Sequence, residues 1–223
     1  DIQNIIFWFH MPAFFIISGY LTTVPEGRYL NSWLKKITIR YWVPYFSYYV
    51  LIVVVLKRSI DIKDAISFLY GGRMYPGVFW YIPVLYLTLI VFVCLIKKYN
   101  KYSVISLICL LYILAHIESL YYLPKDNNYL TWELSYNFPL NIDSILISVP
   151  YFAIGYFLKV RWKKIITEWN GIHLCVVTFI CTSLIYLRIN ESLQYSFDMK
   201  LGNYRHILLD IIFPVLFFTW IVL

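Results

Sequence analysis

The sequence predicts an all-α bundle of transmembrane helices, and its composition carries most of that prediction. Of the 223 residues, 61% are hydrophobic and the mean hydropathy is +0.68, whereas a soluble domain is nearer half apolar. Aromatic side chains reach 21%, which is typical of a chain that meets the membrane–water interface many times. We therefore expect a multi-pass protein of the cell membrane, with the lipid bilayer as its first partner.

The first apolar run covers residues 4–22, close to the roughly 20 residues that a helix needs to cross a bilayer. It contains His10, Pro12 and the neighbours Ser18 and Gly19. An ionisable side chain at membrane depth is a functional-site hypothesis by default, and His10 lies roughly 9 Å inside the run at 1.5 Å per residue. A structural histidine with satisfied hydrogen bonds is the alternative.

Six further runs follow as predicted crossings. They cover residues 41–56, 78–96, 104–120, 142–158, 172–187 and 206–223, and the first of these extends back to residue 37. No internal repeat separates them, so we interpret residues 1–223 as a single transmembrane domain. Within residues 59–77, Ile62, Ala65 and Ile66 recur at helical spacing, which predicts a short interfacial helix.

Basic residues on the connections predict the orientation of the bundle. The first, third and fifth connections carry eleven of them, which are Arg28, Lys35, Lys36, Arg40, Lys97, Lys98, Lys101, Lys159, Arg161, Lys163 and Lys164. The other connections carry eight over longer loops, so we place the first group in the cytoplasm. These loops explain the net charge of +7, and nucleic acid is not an expected partner because the basic residues are spread out.

The cysteines Cys94, Cys109, Cys175 and Cys181 all lie in apolar runs. Four cysteines could form two disulfides. We expect buried thiols instead, because the sequence lacks the cysteine pattern of a small secreted domain that disulfides stabilise. No Cys/His cluster has the ligand spacing of a metal site, so no metal is expected.

Polar side chains collect at two depths under this orientation. The polar residues predicted at the outer level are His10, His116, Glu118, Asp143, Arg205, His206 and Asp210. Those predicted at the inner level are Lys35, Lys36 and Arg40. Histidine exchanges protons near neutral pH, and a nearby carboxylate can orient it. Arginine binds phosphate through two parallel hydrogen bonds. The pattern predicts a phosphorylated donor on the inner side and a hydroxylated substrate in an outer pocket.

The residues near the interfaces also have structural explanations. Lys35, Lys36 and Arg40 are suited to fixing topology and contacting lipid headgroups. Trp80 and Tyr81 fit an aromatic belt as well as a platform that binds a substrate.

The outer acids and histidines have structural explanations too. Asp143 stands at a helix start, where an N-cap role is an alternative to catalysis. His206 and Asp210 are spaced i, i+4 and would pair with each other. His116 and Glu118 lie near the interface and would extend their polar ends towards it.

Several segments resemble one known family in the order that the family has them. Residues 9–21 read FHMPAFFIISGYL and resemble the FHMPLFFFLSGYL signature of the acyltransferase-3 family of integral membrane acyltransferases. Residues 40–45, RYWVPY, resemble its R-x-x-x-P-Y element, and residues 79–82, FWYI, its WFL element. Residues 139–143, PLNID, and 150–156, PYFAIGY, are similar to the PWNID and PFFLLGY elements of the fucose 4-O-acetylase-like branch.

The resemblance implies a polytopic enzyme of about ten helices that transfers an acetyl group from acetyl-CoA to sugars of cell-surface polysaccharides or related glycans. The matching positions give catalytic roles to His10 and Asp143 and a donor-binding role to Arg40. Arg205 and Asp210 match the acceptor side less closely. Lys35 and Lys36 stand some residues before the position of the family's two adjacent arginines, which bind CoA.

The family's catalytic histidine lies in the helix before the FHMP element. That helix and the family's final helices are outside the sequence given, so we interpret the chain as an internal piece of a longer protein. We expect the piece to be inactive alone, with the upstream histidine acting as general base.

Two other functions compete with the enzyme. Prolines at positions 12, 44, 83, 150 and 214 interrupt the apolar runs, which suits the translocation path of a polysaccharide or solute transporter or flippase. However, no internal repeat or matching pair of broken helices accompanies them. A purely structural membrane scaffold would leave His10 and Asp143 without a purpose.

Overall fold

A computed structural model describes residues 2–55, 79–121, 139–168, 171–190, 192–193, 195–200 and 202–222. Within these residues the regular structure is helical, apart from one isolated β-bridge between Asp198 and Asn203. The predicted interfacial helix within residues 59–77 lies outside the described residues.

Each predicted crossing contains a helix. The helices are α1 (Ile2–Phe7), α2 (His10–Leu21), α3 (Leu30–Val55), α4 (Tyr81–Lys98), α5 (Lys101–Tyr121), α6 (Ile145–Phe157), α7 (Lys159–Glu168), α8 (Gly171–Ile189) and α9 (Leu209–Val222). In the described part of the chain, α4, α5, α8 and the segment Leu140–Phe157 are long and apolar enough to cross a membrane, whereas Ile5–Leu21 and α9 are apolar but shorter. The predicted all-α membrane bundle is confirmed.

The first crossing, predicted over residues 4–22, consists of two helices. A turn at Trp8 and Phe9 separates α1 from α2. The cause is Pro12, which has no N–H to donate to the carbonyl of Trp8 four residues earlier. Proline is tolerated in the first turn of a helix, so α2 begins at His10 and places Pro12 third.

The second helix begins earlier than predicted. Helix α3 starts at Leu30 and contains Pro44 in its interior. Arg40 therefore lies ten residues inside a helix rather than at its mouth, and Lys35 and Lys36 lie one turn before it on exposed positions.

The fifth connection, one of the three basic ones, contains a helix that was not predicted. Helix α7 (Lys159–Glu168) buries Trp162 and exposes Arg161, Lys163 and Lys164. One buried aromatic among charged neighbours is the pattern of an amphipathic helix at an interface.

Helix α6 lies at the centre of the bundle. It packs most extensively against α2 and also contacts α4 and α5. At the crossing with α2 the two backbones touch, because a Cβ on Gly155 would lie 1.9 Å from the carbonyl oxygen of Ile16. A Cβ on Gly19 would lie equally close to the carbonyl oxygen of Phe152. Glycines at a helix crossing permit this approach.

The prediction that all four cysteines are buried is wrong for three of them. Cys181 is buried, but Cys94, Cys109 and Cys175 are exposed on α4, α5 and α8. These thiols behave as small apolar groups on helix surfaces that a bilayer would cover.

Candidate functional site

Helix α2 connects the two levels at which the candidate residues lie. His10 is its first residue, whereas Ser18 and Thr22 lie at its other end. At 1.5 Å per residue, His10 and Thr22 are roughly 18 Å apart along the axis. A single rigid element therefore reaches both the outer and the inner candidate groups.

A cavity of about 260 Å³ opens at the inner end of α2. Its lining residues are Ser18, Leu21, Thr22, Thr23, Trp33, Ile37, Arg40, Tyr41 and Leu89. Arg40 supplies a permanent positive charge, and the serine, threonines and tyrosine supply hydroxyl groups. Lys35 and Lys36 are exposed elsewhere on α3 and do not line it. This lining can bind a polar anion. Of the residues predicted to bind the phosphorylated donor, Arg40 lines the cavity.

His10 is half-buried at the outer end of α2, between two aromatic rings. Its ring centroid lies 5.7 Å from that of Phe7 and 6.0 Å from that of Phe14. Among the residues that the structure describes, the buried Nδ1 of His10 has no hydrogen-bond partner. The atom remains available to exchange a proton or to bind a hydroxyl group.

Asp198 is the carboxylate that acts electrostatically on His10. The loop holds it through two backbone hydrogen bonds of 2.9 Å with Asn203. Its Oδ1 also accepts a 2.8 Å hydrogen bond from the backbone N–H of Lys200. Asp198 lies in one of the longer loops and was not among the predicted site residues, although Asp, Gly and Asn residues close together indicate a turn.

Asp143 is buried just before α6, in the 3₁₀ segment Pro139–Ser144. Ser144, not Asp143, is the residue that immediately precedes the helix. Leu140 and Asn141 have φ angles of 56° and 54°, a region that non-glycine residues rarely adopt and that often accompanies functional sites.

Trp80 and Tyr81 occupy different positions at the start of α4. Trp80 is buried in the core at 1% exposure. Tyr81, the first residue of α4, packs against α2, with its ring centroid 5.8 Å from that of Phe14 and 5.1 Å from that of Phe15. Its hydroxyl forms a hydrogen bond with Ser18. Tyr81 thus lies along α2 between His10 and the inner cavity.

Asp210 anchors a buried polar network on the outer side. Its side chain has 0% exposure and accepts hydrogen bonds from the Tyr195 hydroxyl at 2.7 Å and the backbone N–H of His206 at 2.9 Å. Nε2 of His116 lies 3.1 Å from Oδ2 of Asp210. The Tyr151 hydroxyl donates to the backbone carbonyl of Asp210.

Two expectations about these residues are therefore wrong. His116 does not extend to the interface but pairs with Asp210 inside the bundle. The imidazole of His206 is exposed, and only its backbone contacts Asp210. Arg205 is exposed beside it. Sequence spacing along one helix cannot reveal a pair that joins residues 94 positions apart.

Tyr195 joins this network to the turn before His10. Its ring centroid lies 5.2 Å from that of Trp8. Burial, reinforced by the Asp210 carboxylate, raises the pKa of Tyr195 well above its ordinary value. The phenol therefore keeps its proton and remains a donor to Asp210.

Removing the Asp210 carboxylate should destabilise the bundle strongly. Asp210→Ala leaves His116, Tyr195 and a backbone N–H without their acceptor, and breaking a buried pair from one side costs roughly 3–5 kcal/mol. Glu168→Ala is the control, because its 3.6 Å pair with Lys164 is exposed and is worth about 0–1 kcal/mol. Thermal unfolding of the purified protein gives the melting temperature of each variant. Equal melting temperatures for Asp210→Ala and Glu168→Ala would contradict this role of Asp210.

No group of three His, Cys, Asp or Glu side chains among the described residues could hold a metal ion. The chain matches the family model of the acyltransferase domain (acyltransferase-3) over residues 2–223. No curated protein and no solved structure matches it significantly. The family match covers nearly all of the chain, and the chain therefore belongs to the acyltransferase-3 family of membrane acyltransferases.

Proposed function

We propose that the protein is a multi-pass O-acyltransferase of the cell membrane that moves an acetyl group from acetyl-CoA to a sugar hydroxyl of a cell-surface polysaccharide or its glycan precursor. The observation that carries the proposal is the placement of His10 and the Arg40 cavity at opposite ends of α2. One helix thereby serves a charged donor on one side and a hydroxylated acceptor on the other.

The inner cavity is assigned to the phosphates of acetyl-CoA. Arg40 would hold a phosphate through two parallel hydrogen bonds, and the hydroxyls of Thr22 and Thr23 face the same space. The basic connections predict that this end of α2 faces the cytoplasm. The thioester would then lie further along α2, in the direction of Tyr81 and His10.

The outer end of α2 is assigned to the acceptor. The sugar hydroxyl gives its proton to an imidazole as its oxygen attacks the thioester carbonyl. The carbon–sulfur bond then breaks, and the imidazolium returns the proton to the departing sulfur, so that CoA leaves as its thiol. Nδ1 of His10 takes this proton directly or from the upstream histidine that the family resemblance implies. The Asp198 carboxylate would stabilise the resulting imidazolium.

Asp143 is proposed as a second catalytic residue on the strength of the family resemblance. Its burial and the left-handed conformations at Leu140 and Asn141 support a role that is not simple capping. Trp80, Tyr81, Arg205 and Asp210 were predicted to bind the substrate. Of these, Tyr81 is proposed to contact it, because its ring packs against Phe14 and Phe15 of α2, between His10 and the cavity.

Arg40→Ala should weaken the binding of acetyl-CoA about 10-fold to 100-fold, since a hydrogen bond to a charged group contributes roughly 1.5–3 kcal/mol. Lys35→Ala is the matched control, because this cation lies on the same helix but outside the cavity. Titration calorimetry of the purified protein with acetyl-CoA provides the measurement. Equal affinities of the two variants would remove Arg40 from the donor site.

A further inference from the structure

A second cavity of about 260 Å³ lies on the other side of the inner end of α2, between α2, α7 and α9. Its lining residues are Ile17, Tyr20, Leu21, Trp162, Phe218 and Val222. Ile17 and Leu21 are exposed, so the cavity opens on a surface that the bilayer covers. Its walls are almost wholly apolar, and an acyl chain is the ligand that such walls favour.

Trp162 contributes one hydrogen-bond donor to this apolar cavity. Its side chain is 5% exposed and packs edge-on against Phe218 at a centroid distance of 5.3 Å. Its buried Nε1 donates to no acceptor among the described residues. Buried donors are nearly always satisfied, and this one is available to donate to an oxygen of a bound molecule.

A positive charge stands at the edge of the same cavity. Lys159 precedes Trp162 by three residues, which places both side chains on one face of α7. Its Nζ lies 5.5 Å from the ring centroid of Tyr20, which lines the cavity. Arg161 and Lys163 are exposed on the same short helix. Basic amphipathic helices of this kind attract anionic lipid headgroups.

We propose that this cavity binds an anionic phospholipid of the leaflet that α7 faces. One acyl chain fills the apolar space, an ester oxygen accepts the hydrogen bond from Nε1 of Trp162, and the phosphate faces Lys159. No zwitterionic lipid would complement the cluster of basic residues equally well. The site is separate from the Arg40 cavity and does not depend on acyl transfer.

Native mass spectrometry of the whole protein tests the site after reconstitution in vesicles of phosphatidylcholine containing phosphatidylglycerol. Trp162→Phe keeps the ring and removes only the N–H. Trp220→Phe is the control, because its Nε1 already donates to the Thr178 hydroxyl at 3.0 Å. We expect the wild type and Trp220→Phe to retain phosphatidylglycerol, and Trp162→Phe to retain about tenfold less, as the loss of one hydrogen bond implies.

A second variant keeps the test decisive if Trp162→Phe does not fold. Lys159→Gln removes the charge from a half-buried position and should abolish the preference for phosphatidylglycerol over phosphatidylcholine. Equal retention of both lipids by the wild type would overturn the proposal. So would a Trp162→Phe variant that melts like the wild type and still retains phosphatidylglycerol fully.

Discussion

Gly155→Ala is expected to leave little folded protein, although it adds only one methyl group. Its Cβ would lie 1.9 Å from the carbonyl oxygen of Ile16 and 2.9 Å from the backbone nitrogen of Tyr20. Both are backbone atoms of α2, so no side chain can move aside. Ordinary overpacking lowers the free energy of unfolding by roughly 1–3 kcal/mol. We expect Gly155→Ala to lower it by an amount at or above the upper end of that range.

The effect should be specific to the crossing of α2 and α6. Gly19→Ala places its Cβ 1.9 Å from the carbonyl oxygen of Phe152 and should destabilise the protein as strongly. Gly171→Ala is the matched control, because its Cβ meets no atom within 4 Å. Thermal unfolding in detergent gives the melting temperatures of the three variants. Equal melting temperatures for Gly155→Ala and Gly171→Ala would contradict the close approach of α2 and α6.

His10→Ala should lower acyl transfer by roughly 100-fold to 10,000-fold, the usual contribution of a positioned proton-transfer group. The loss should appear at unchanged protein level, because Nδ1 of His10 makes no hydrogen bond within the described residues. His206→Ala is the control, since its exposed imidazole does not contact Asp210. Asp198→Asn should cause a smaller loss, because it removes only a charge near His10. Transfer of labelled acetyl groups in isolated membranes provides the measurement.

Apolar length and composition were enough to predict the bundle and the approximate place of each crossing. The hydrophobic effect that drives burial in lipid is non-directional, so a run of apolar residues reveals a helix without revealing its contacts. Helix ends were harder to place. The break before His10 depends on one missing N–H at Pro12, and α7 forms from a stretch whose charges suggested a plain connection.

The candidate site could be predicted only in part. His10 stood out because ionisable groups are costly in a membrane, and Arg40 because a guanidinium group binds phosphate. In the structure His10 begins α2, and Arg40 of α3 lines the cavity at the other end of α2. The pair of His116 with Asp210 and the electrostatic effect of Asp198 on His10 join residues that are far apart in sequence. Such interactions depend on how helices rotate and how loops fold back, and neither follows from periodicity.

The central claim is that α2 serves a chemical transfer rather than the passage of a solute. Mass analysis of the surface glycan tests it most directly, in a strain that lacks the gene and is complemented with the wild type or with His10→Ala. The account requires the glycan to persist without its acyl mass when His10→Ala is present at the normal protein level. A fully acylated glycan in that strain, or loss of the polymer itself as a transporter would cause, would contradict it.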